Sequence, residues 1–329
     1  MGVTPDKGNT DRRPVGLLRI SVTDRCDLHC IYCVPEEGIE WCSREEILRL
    51  EEIHLIVKEF ANEFGLRRVR LTGGEPLCRA GITSLIALLR TLDLEEITMT
   101  TNAQKLGEKA ESLKKAGLSR VNISLDTLSP AVYDRLTRGG DVSRVIEGIR
   151  AAKKWGLEPV KLNMLVLRGW NEDEIPAVAK FAGEKGVHVR FLEAIAIGES
   201  SHRHHSLWVP AEEILERLDG SFDVQVGERP PGSTETPLVL TPKSGAPIQA
   251  GLICSESDPF CETCSRLRLS ARGRLRGCLL NQAEVDVLPW VRDSNRKTAD
   301  FIRHVNEAIS QKPLRRKARS PVIMAEIGG

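Results

Sequence analysis

The chain has 329 residues, enough for one large domain or a large domain with a smaller companion. Its 47 basic residues stand against 46 acidic ones, and the net charge of +1 argues against a protein that coats nucleic acid while allowing a local basic pocket. No apolar run reaches the roughly 18–20 residues that cross a bilayer, and the opening MGVTPDKGNTDRRPVG is polar and broken by proline and glycine, unlike a signal peptide or membrane anchor, so a cytoplasmic protein is expected.

Short β-like runs alternate with helix-like stretches: LLRISVT (17–23), RRVRLT (67–72), EITMTT (96–101), RVNISLD (120–126), VKLNMLV (160–166) and VHVRFLE (187–193). Ser43 with Glu46 reads as a capping box opening a long helix that stops at Gly65, and Asn171 with Glu174 as a second that ends at Gly186. Gly117 and Gly156 sit where further helices should close. Strand–helix alternation predicts an α/β fold with a parallel sheet and right-handed crossovers. Six units point to an incomplete (β/α)6 TIM-like barrel with two staves missing.

Within each strand the two faces differ. Leu18, Ile20 and Val22 oppose Arg19, Ser21 and Thr23; Val69 and Leu71 oppose Arg68, Arg70 and Thr72. Thr98, Thr100 and Asn102 share a face, as do Asn122, Ser124 and Asp126, Lys161 and Asn163, and His188 and Arg190. The apolar face suits a cover of helices. The other would normally fill a barrel with branched aliphatics, yet here it is polar and cationic, and burying such groups unpaired costs several kcal/mol each. A wet, positively lined lumen that holds an anionic ligand follows, since parallel sheets seldom leave a face uncovered.

After about residue 200 the pattern changes. SSHRHHS (200–206) reads as an exposed loop and a poor metal site, and 229–247, with five prolines, as a connector. A helix-like region then runs to about 310, followed by the basic run KPLRRKAR (312–319) and the ending AEIGG. The expected division is a core over 1–228 and a C-terminal region over 229–329.

Nine cysteines in a reducing compartment read as metal ligands, catalytic thiols or small buried residues. Three of them, Cys42, Cys78 and Cys254, lack a partner at ligand spacing and read as core residues, although Cys254 is also a candidate fourth ligand to the second group below. Cys26-x3-Cys30-x2-Cys33 puts three thiolates on one short loop, each able to hold a different iron of a cubane cluster and together leaving the fourth iron open. Cys261-x2-Cys264-x13-Cys278 repeats the count of three, and Arg266 and Arg268 alternate with Leu267 and Leu269 so that both guanidiniums project to one side of a strand-like hairpin. Two guanidiniums there suit a phosphate or an electron-rich base.

The C-x3-C-x2-C triad just after a first strand, with Tyr32 in its last spacer, resembles the radical S-adenosylmethionine (SAM) superfamily, as does TGGEP (72–76) ending the second strand. Those two motifs, CETCSRLRL and the terminal double glycine together resemble the GTP 3′,8-cyclase family of molybdenum cofactor biosynthesis (the MoaA family), over Leu18 to Gly329. The resemblance implies a radical SAM partial barrel with a C-terminal extension that carries a second cluster. It implies two [4Fe–4S] clusters, on Cys26, Cys30 and Cys33 and on Cys261, Cys264 and Cys278, facing each other across the barrel. The first would cleave SAM to a 5′-deoxyadenosyl radical, which removes the ribose H3′ of a GTP held at the second cluster; the C3′ radical then closes onto C8. The match places SAM near Tyr32, Gly74, Glu75, Ser124 and Ile195. It places GTP near Arg19, Arg70, Thr100, Lys161, Arg190 and Arg266 through Leu267 to Arg268. Gly328 and Gly329 would reach into the cavity and support catalysis. An external electron donor and a downstream cyclic pyranopterin monophosphate synthase are the implied partners, with no nucleic acid or membrane; a homodimer is compatible.

The sequence departs from the family pattern at Ala103, where a glycine usually follows TTN, and at Ile195, where a methionine usually contacts SAM. Two other readings remain open on sequence alone. One is a radical SAM peptide-modifying enzyme with an auxiliary cluster; the other is a zinc-stabilised nucleic-acid-binding protein, which the near-neutral charge and 4% aromatic content disfavour.

Overall fold

The computed structural model describes residues 15–197 and 200–313. Gly328 and Gly329, and the basic run from residue 314 onward, lie outside the described residues.

All six expected strands form: β1 (Leu17–Ser21), β2 (Arg68–Thr72), β3 (Glu96–Thr101), β4 (Arg120–Ser124), β5 (Lys161–Val166) and β6 (His188–Glu193). Each pairs in parallel with the next. Helices α1 (Leu50–Phe64), α2 (Ile82–Leu89), α3 (Leu106–Ala116), α4 (Pro130–Thr137), α5 (Val142–Lys154) and α6 (Ile175–Lys185) make the crossovers. Helices α1, α3 and α6 end where expected, at Gly65, Gly117 and Gly186, each in the left-handed conformation that closes a helix without a Cβ clash. The apolar strand face is dry: Leu18, Ile20, Val69, Leu71, Ile97, Val121 and Leu162 are fully buried in one core.

Neither expected capping box opens its helix. Ser43 and Glu46 close a separate turn, with the Ser43 amide donating to the Glu46 carboxylate at 2.8 Å, and α1 begins only at Leu50, after Ile47 and Leu48 have been buried. The Asn171 amide instead donates to the carbonyls of Asp126 and Leu165 at 2.7 and 2.8 Å, while the Glu174 carboxylate accepts from Leu128 N at 2.9 Å. These side chains tie the loops after β4 and β5 together, and α6 starts behind them.

After β6 come α7 (Ser200–Leu207), α8 (Ala211–Asp219), β7 (Phe222–Val226), β8 (Thr236–Pro242), β9 (Ile248–Ile253), β10 (Arg266–Leu269), β11 (Arg274–Arg276), β12 (Val285–Asp286), α9 (Leu288–Arg292) and α10 (Thr298–Ser310). The stretch 200–206 is therefore helical rather than a loop: His204 is buried against Trp208, with ring centroids 6.1 Å apart. Much of the expected connector is strand as well, because β8 pairs antiparallel with both β7 and β9. The segments on either side of β8, 229–235 and 243–247, keep a loop character.

The two missing staves are supplied by the C-terminal region. β10 pairs in parallel with β1 and β9 in parallel with β6, so eight parallel strands stand side by side. The sheet runs β12-β11-β10-β1-β2-β3-β4-β5-β6-β9-β8-β7, and its two ends do not meet, so the barrel stays open. α10 clamps this arrangement from outside. Phe301 is fully buried, edge-on to Phe60 of α1 at 5.1 Å and 4.7 Å from the Trp290 ring of α9.

Replacing Phe301 by alanine should cost about 3–5 kcal/mol by opening a cavity between α1 and α10. A lowered urea midpoint measures it; a loss below about 1 kcal/mol would show that α10 does not hold the C-terminal region to the barrel.

Candidate active site

One cavity of about 1070 Å³ occupies the open barrel. Both cysteine triads line it: Cys26, Cys30 and Cys33, and Cys261, Cys264 and Cys278. Of the side chains expected to frame SAM, Tyr32, Gly74, Glu75, Ser124 and Ile195 all line it. Arg19, Arg70, Thr100, Lys161, Arg190, Arg266 and Arg268 line it too. Leu267 is the exception. Strand alternation turns its side chain to the opposite face of β10, where it is fully buried in the core.

The loop bearing the first triad is held by the GGE turn. Gly74 N donates to Thr23 O and Glu75 N to Arg25 O, both at 2.7 Å. The glycines are demanded by this close approach, since a Cβ on Gly74 would stand 2.4 Å from Arg25 O and one on Gly73 2.6 Å from Thr23 O. The Glu75 carboxylate is buried and spent within the protein, accepting from Leu77 N at 3.0 Å, Thr101 Oγ1 at 2.7 Å and Asn102 N at 2.8 Å. Burial pushes it up to about 7 against the pull of those donors. Tyr32 reaches across the lumen, its hydroxyl donating to Asp126 Oδ2 at 2.6 Å. Asp126 also accepts from Leu165 N at 2.9 Å, and burial pushes its carboxyl up to about 6 despite both donors.

The donor set suits iron–sulfur ligation. Cys26 Sγ accepts from Leu28 N at 3.4 Å, an N–H···S contact of the kind that tunes such centres. Lys312 Nζ donates to Cys264 O at 2.8 Å, and although burial raises the Cys264 thiol, Lys312, the Arg266 amide and the neighbouring guanidiniums bring it below its usual value. Among the described residues no three His, Cys, Asp or Glu side chains converge on a single metal ion, whereas cubane ligands each take a different iron and stand further apart. His29, between Cys26 and Cys30 in sequence, is exposed and is not among the residues that line the cavity. Cys254 does not join the second triad: it is buried in the main core. Cys78, expected to be a bland core residue, is half-buried and accepts from Lys105 Nζ at 3.1 Å.

Between the triads the lumen carries a row of like charges. The β1–β10 register sets Arg19 beside Arg268, and the β1–β2 register sets Arg19 beside Arg70. Desolvation and the other arginines push Arg19 well down, Arg70 to about 9 and Arg268 to about 10, and at those values Arg70 and Arg268 stay protonated at neutral pH. Arg190 is pinned on three sides, donating to Asn163 Oδ1 at 2.9 Å and Asn122 Oδ1 at 3.0 Å and facing Glu235 at 3.5 Å. Arg266 lies over the Phe260 ring at 5.6 Å and donates to Thr234 Oγ1.

Glu96 and Glu235 are lumen carboxylates that were not singled out from the sequence. Glu96 binds Arg120 at 2.6 Å, and following the β3 and β4 alternation one step further back would have found this pair. Glu235 arrives from the stretch read as a connector, where no periodicity marks it.

Residues 20–182 match the family model of the radical SAM superfamily, and residues 187–318 match Molybdenum Cofactor Synthesis C. A GTP 3′,8-cyclase of Pelotomaculum thermopropionicum is 41% identical over 98% of this chain and 99% of its own. One of Moorella thermoacetica is 42% identical over the same shares. Among solved structures, Streptococcus suis SuiB bound to S-adenosylmethionine superposes with a TM-score of 0.56 over 86% of this chain and 65% of that one; at 15% identity the likeness is one of fold. Fold and paired triads thus define a radical SAM enzyme with a molybdenum-cofactor-synthesis C-terminal region. Within that class, the chain belongs to the GTP 3′,8-cyclase family.

Ala103 sits at φ 62, the left-handed region that favours glycine. Relief of about 1–2 kcal/mol on changing it to glycine is offset by about 0.8 kcal/mol for a buried methyl and about 0.5–1 kcal/mol of backbone entropy. Ala103→Gly should therefore move stability by less than about 1 kcal/mol, while a β-branched Ala103→Val should cost more than about 2. Paired denaturation curves measure both.

Proposed function

We propose that this enzyme converts GTP to (8S)-3′,8-cyclo-7,8-dihydroguanosine 5′-triphosphate, the first step of molybdenum cofactor biosynthesis. The observation that carries the reading is that both cysteine triads and the lumen cations line one cavity. Cys26, Cys30 and Cys33 hold one [4Fe–4S] cluster and Cys261, Cys264 and Cys278 the other. When bound, the clusters and SAM supply an electron and a carbon radical able to take H3′ from the ribose. The chain's own work is to bind and orient. Tyr32, Gly74, Glu75, Ser124 and Ile195 border SAM, with the backbone of the GGE turn as the polar contact, because the Glu75 oxygens are already engaged. Arg19, Arg70, Thr100, Lys161 and Arg190 hold the triphosphate, whose roughly four negative charges answer the crowded guanidiniums. Arg266 and Arg268 bridge from the second triad to the same row, so one substrate touches both.

Lys312 and Pro313 line the cavity, which supports an entry of the tail bearing Gly328 and Gly329. An external donor supplies electrons, and a cyclic pyranopterin monophosphate synthase receives the product. No described helix is long and apolar enough to cross a membrane, in keeping with our placing the reaction in the cytoplasm.

Anaerobically reconstituted protein given SAM, a reductant and GTP should release 5′-deoxyadenosine together with a cyclised nucleotide; release that ignores GTP and yields no new nucleotide would overturn the reading. Cys26→Ala should abolish SAM cleavage, whereas Cys264→Ala should lose the cyclised product and keep some uncoupled cleavage. Arg266→Ala should raise KM for GTP by about 10- to 100-fold, the loss of one or more charge-assisted hydrogen bonds, and leave SAM binding near wild type.

A further inference from the structure

The lumen contains an acid placed as carefully as its bases. Glu235 enters from the loop before β8, with Oε1 2.5 Å from His188 Nε2 and Oε2 3.1 Å from Lys161 Nζ and 3.5 Å from Arg190 Nη1. All three partners belong to β5 and β6. Burial works against its negative charge, but His188, Lys161 and Arg190 outweigh it and hold the carboxyl down at about 2.

Its position is built from both sides. The Ser233 hydroxyl accepts from Glu235 N at 3.0 Å and donates to Glu235 O at 3.1 Å, which sets the turn. Gly251 stands beside Arg190 in the β6–β9 ladder, and a Cβ there would come within 2.6 Å of Glu235 Cγ. The missing side chain on β9 is the slot in which the glutamate lies. The next residue back, Thr234, takes the hydrogen bond from Arg266, so the same short loop engages cations at both ends of the lumen.

We infer that Glu235 is an internal stand-in for the substrate's polyphosphate: it occupies the bases of β5 and β6 while no nucleotide is bound, and a phosphate group displaces it. The inference rests on the GTP reading of the cavity. A carboxylate brings one negative charge to Lys161 and Arg190, and a terminal phosphate brings nearly two with three acceptor oxygens, so the exchange favours the phosphate. A weaker anion gains little by the same exchange. The carboxylate thus keeps the empty pocket from expelling its own bases or filling with stray anions, at some cost in nucleotide affinity.

The test uses the anaerobically reconstituted holoenzyme, wild type and Glu235→Gln, with binding of GTP, tripolyphosphate and guanosine measured by equilibrium dialysis. Removing the competing charge should tighten GTP and tripolyphosphate by about fivefold or more and leave guanosine unchanged. Thermal unfolding should show the variant less stable than wild type without nucleotide and equal to it when saturated with GTP. Equal or weaker GTP binding by the variant, or a guanosine shift as large as the GTP shift, would overturn the inference and leave Glu235 a fold-holding ion pair. Glu235→Ala should move GTP affinity in the same direction as the glutamine variant; opposite directions would likewise overturn it. Failure of the wild-type holoenzyme itself to bind GTP would be a different result, sinking the reading of the cavity and this inference with it.

Discussion

Repulsion among half-buried guanidiniums is the constraint around which the barrel is organised. Arg268, Arg19 and Arg70 stand on three successive strands in direct register, inside a sheet whose other face is dry. Neighbouring strands lie ~5 Å apart, and two unit charges at that spacing repel by about 3 kcal/mol at an effective dielectric of 20. That exceeds the ~0.2–1 kcal/mol of an exposed ion pair, so an anion that enters the lumen gains by answering the row. The unclosed sheet leaves the space for such an anion, and the lumen is large because side chains that would fill a closed barrel are replaced by ones that need a partner.

The C-terminal region is part of this electrostatic arrangement and not an appendage to it. By adding β10 next to β1 it brings Arg268 into the row, and by adding β9 next to β6 it brings Gly251 beside Arg190. The segment between β7 and β8 then reaches over the lumen with Thr234 and Glu235. Each cysteine triad is thereby placed at the edge of a shared cationic chamber, with the first supported by the glycine turn beneath it and the second by the hairpin of β10 and β11. Uniting SAM chemistry with nucleotide binding requires both regions in one sheet, which agrees with two family models meeting within a single continuous array.

Much of the site could be read along the strands. Alternation of period two put Arg19, Arg70, Thr100, Ser124, Lys161 and Arg190 on one face, and the lumen holds all six. The same reasoning erred where packing, and not local composition, sets a residue's role. Asn171 has the composition of a helix cap, yet its amide is taken by the carbonyls of Asp126 and Leu165, and Ser43 caps only a local turn with Glu46 before Ile47 and Leu48 are buried. Glu75 sits in a ligand-binding motif, but all its acceptors face Leu77, Thr101 and Asn102. The histidine cluster at 200–206 is a helix because His204 finds Trp208 one turn on.

The sequence by itself determined the six parallel strands, which of their faces is polar, the ends of α1, α3 and α6, and the spacing of two soft-ligand triads, because all of these are local: they depend on pleat, helical period and reach along one segment. Only the tertiary structure decided that β9 and β10 would become the missing staves, that Cys254 would turn into the core, and that a glutamate from a proline-rich stretch would lie among the lumen bases. These pairings join segments far apart in the chain, where register is chosen by burial and charge across the whole sheet and leaves no period in the residues that take part.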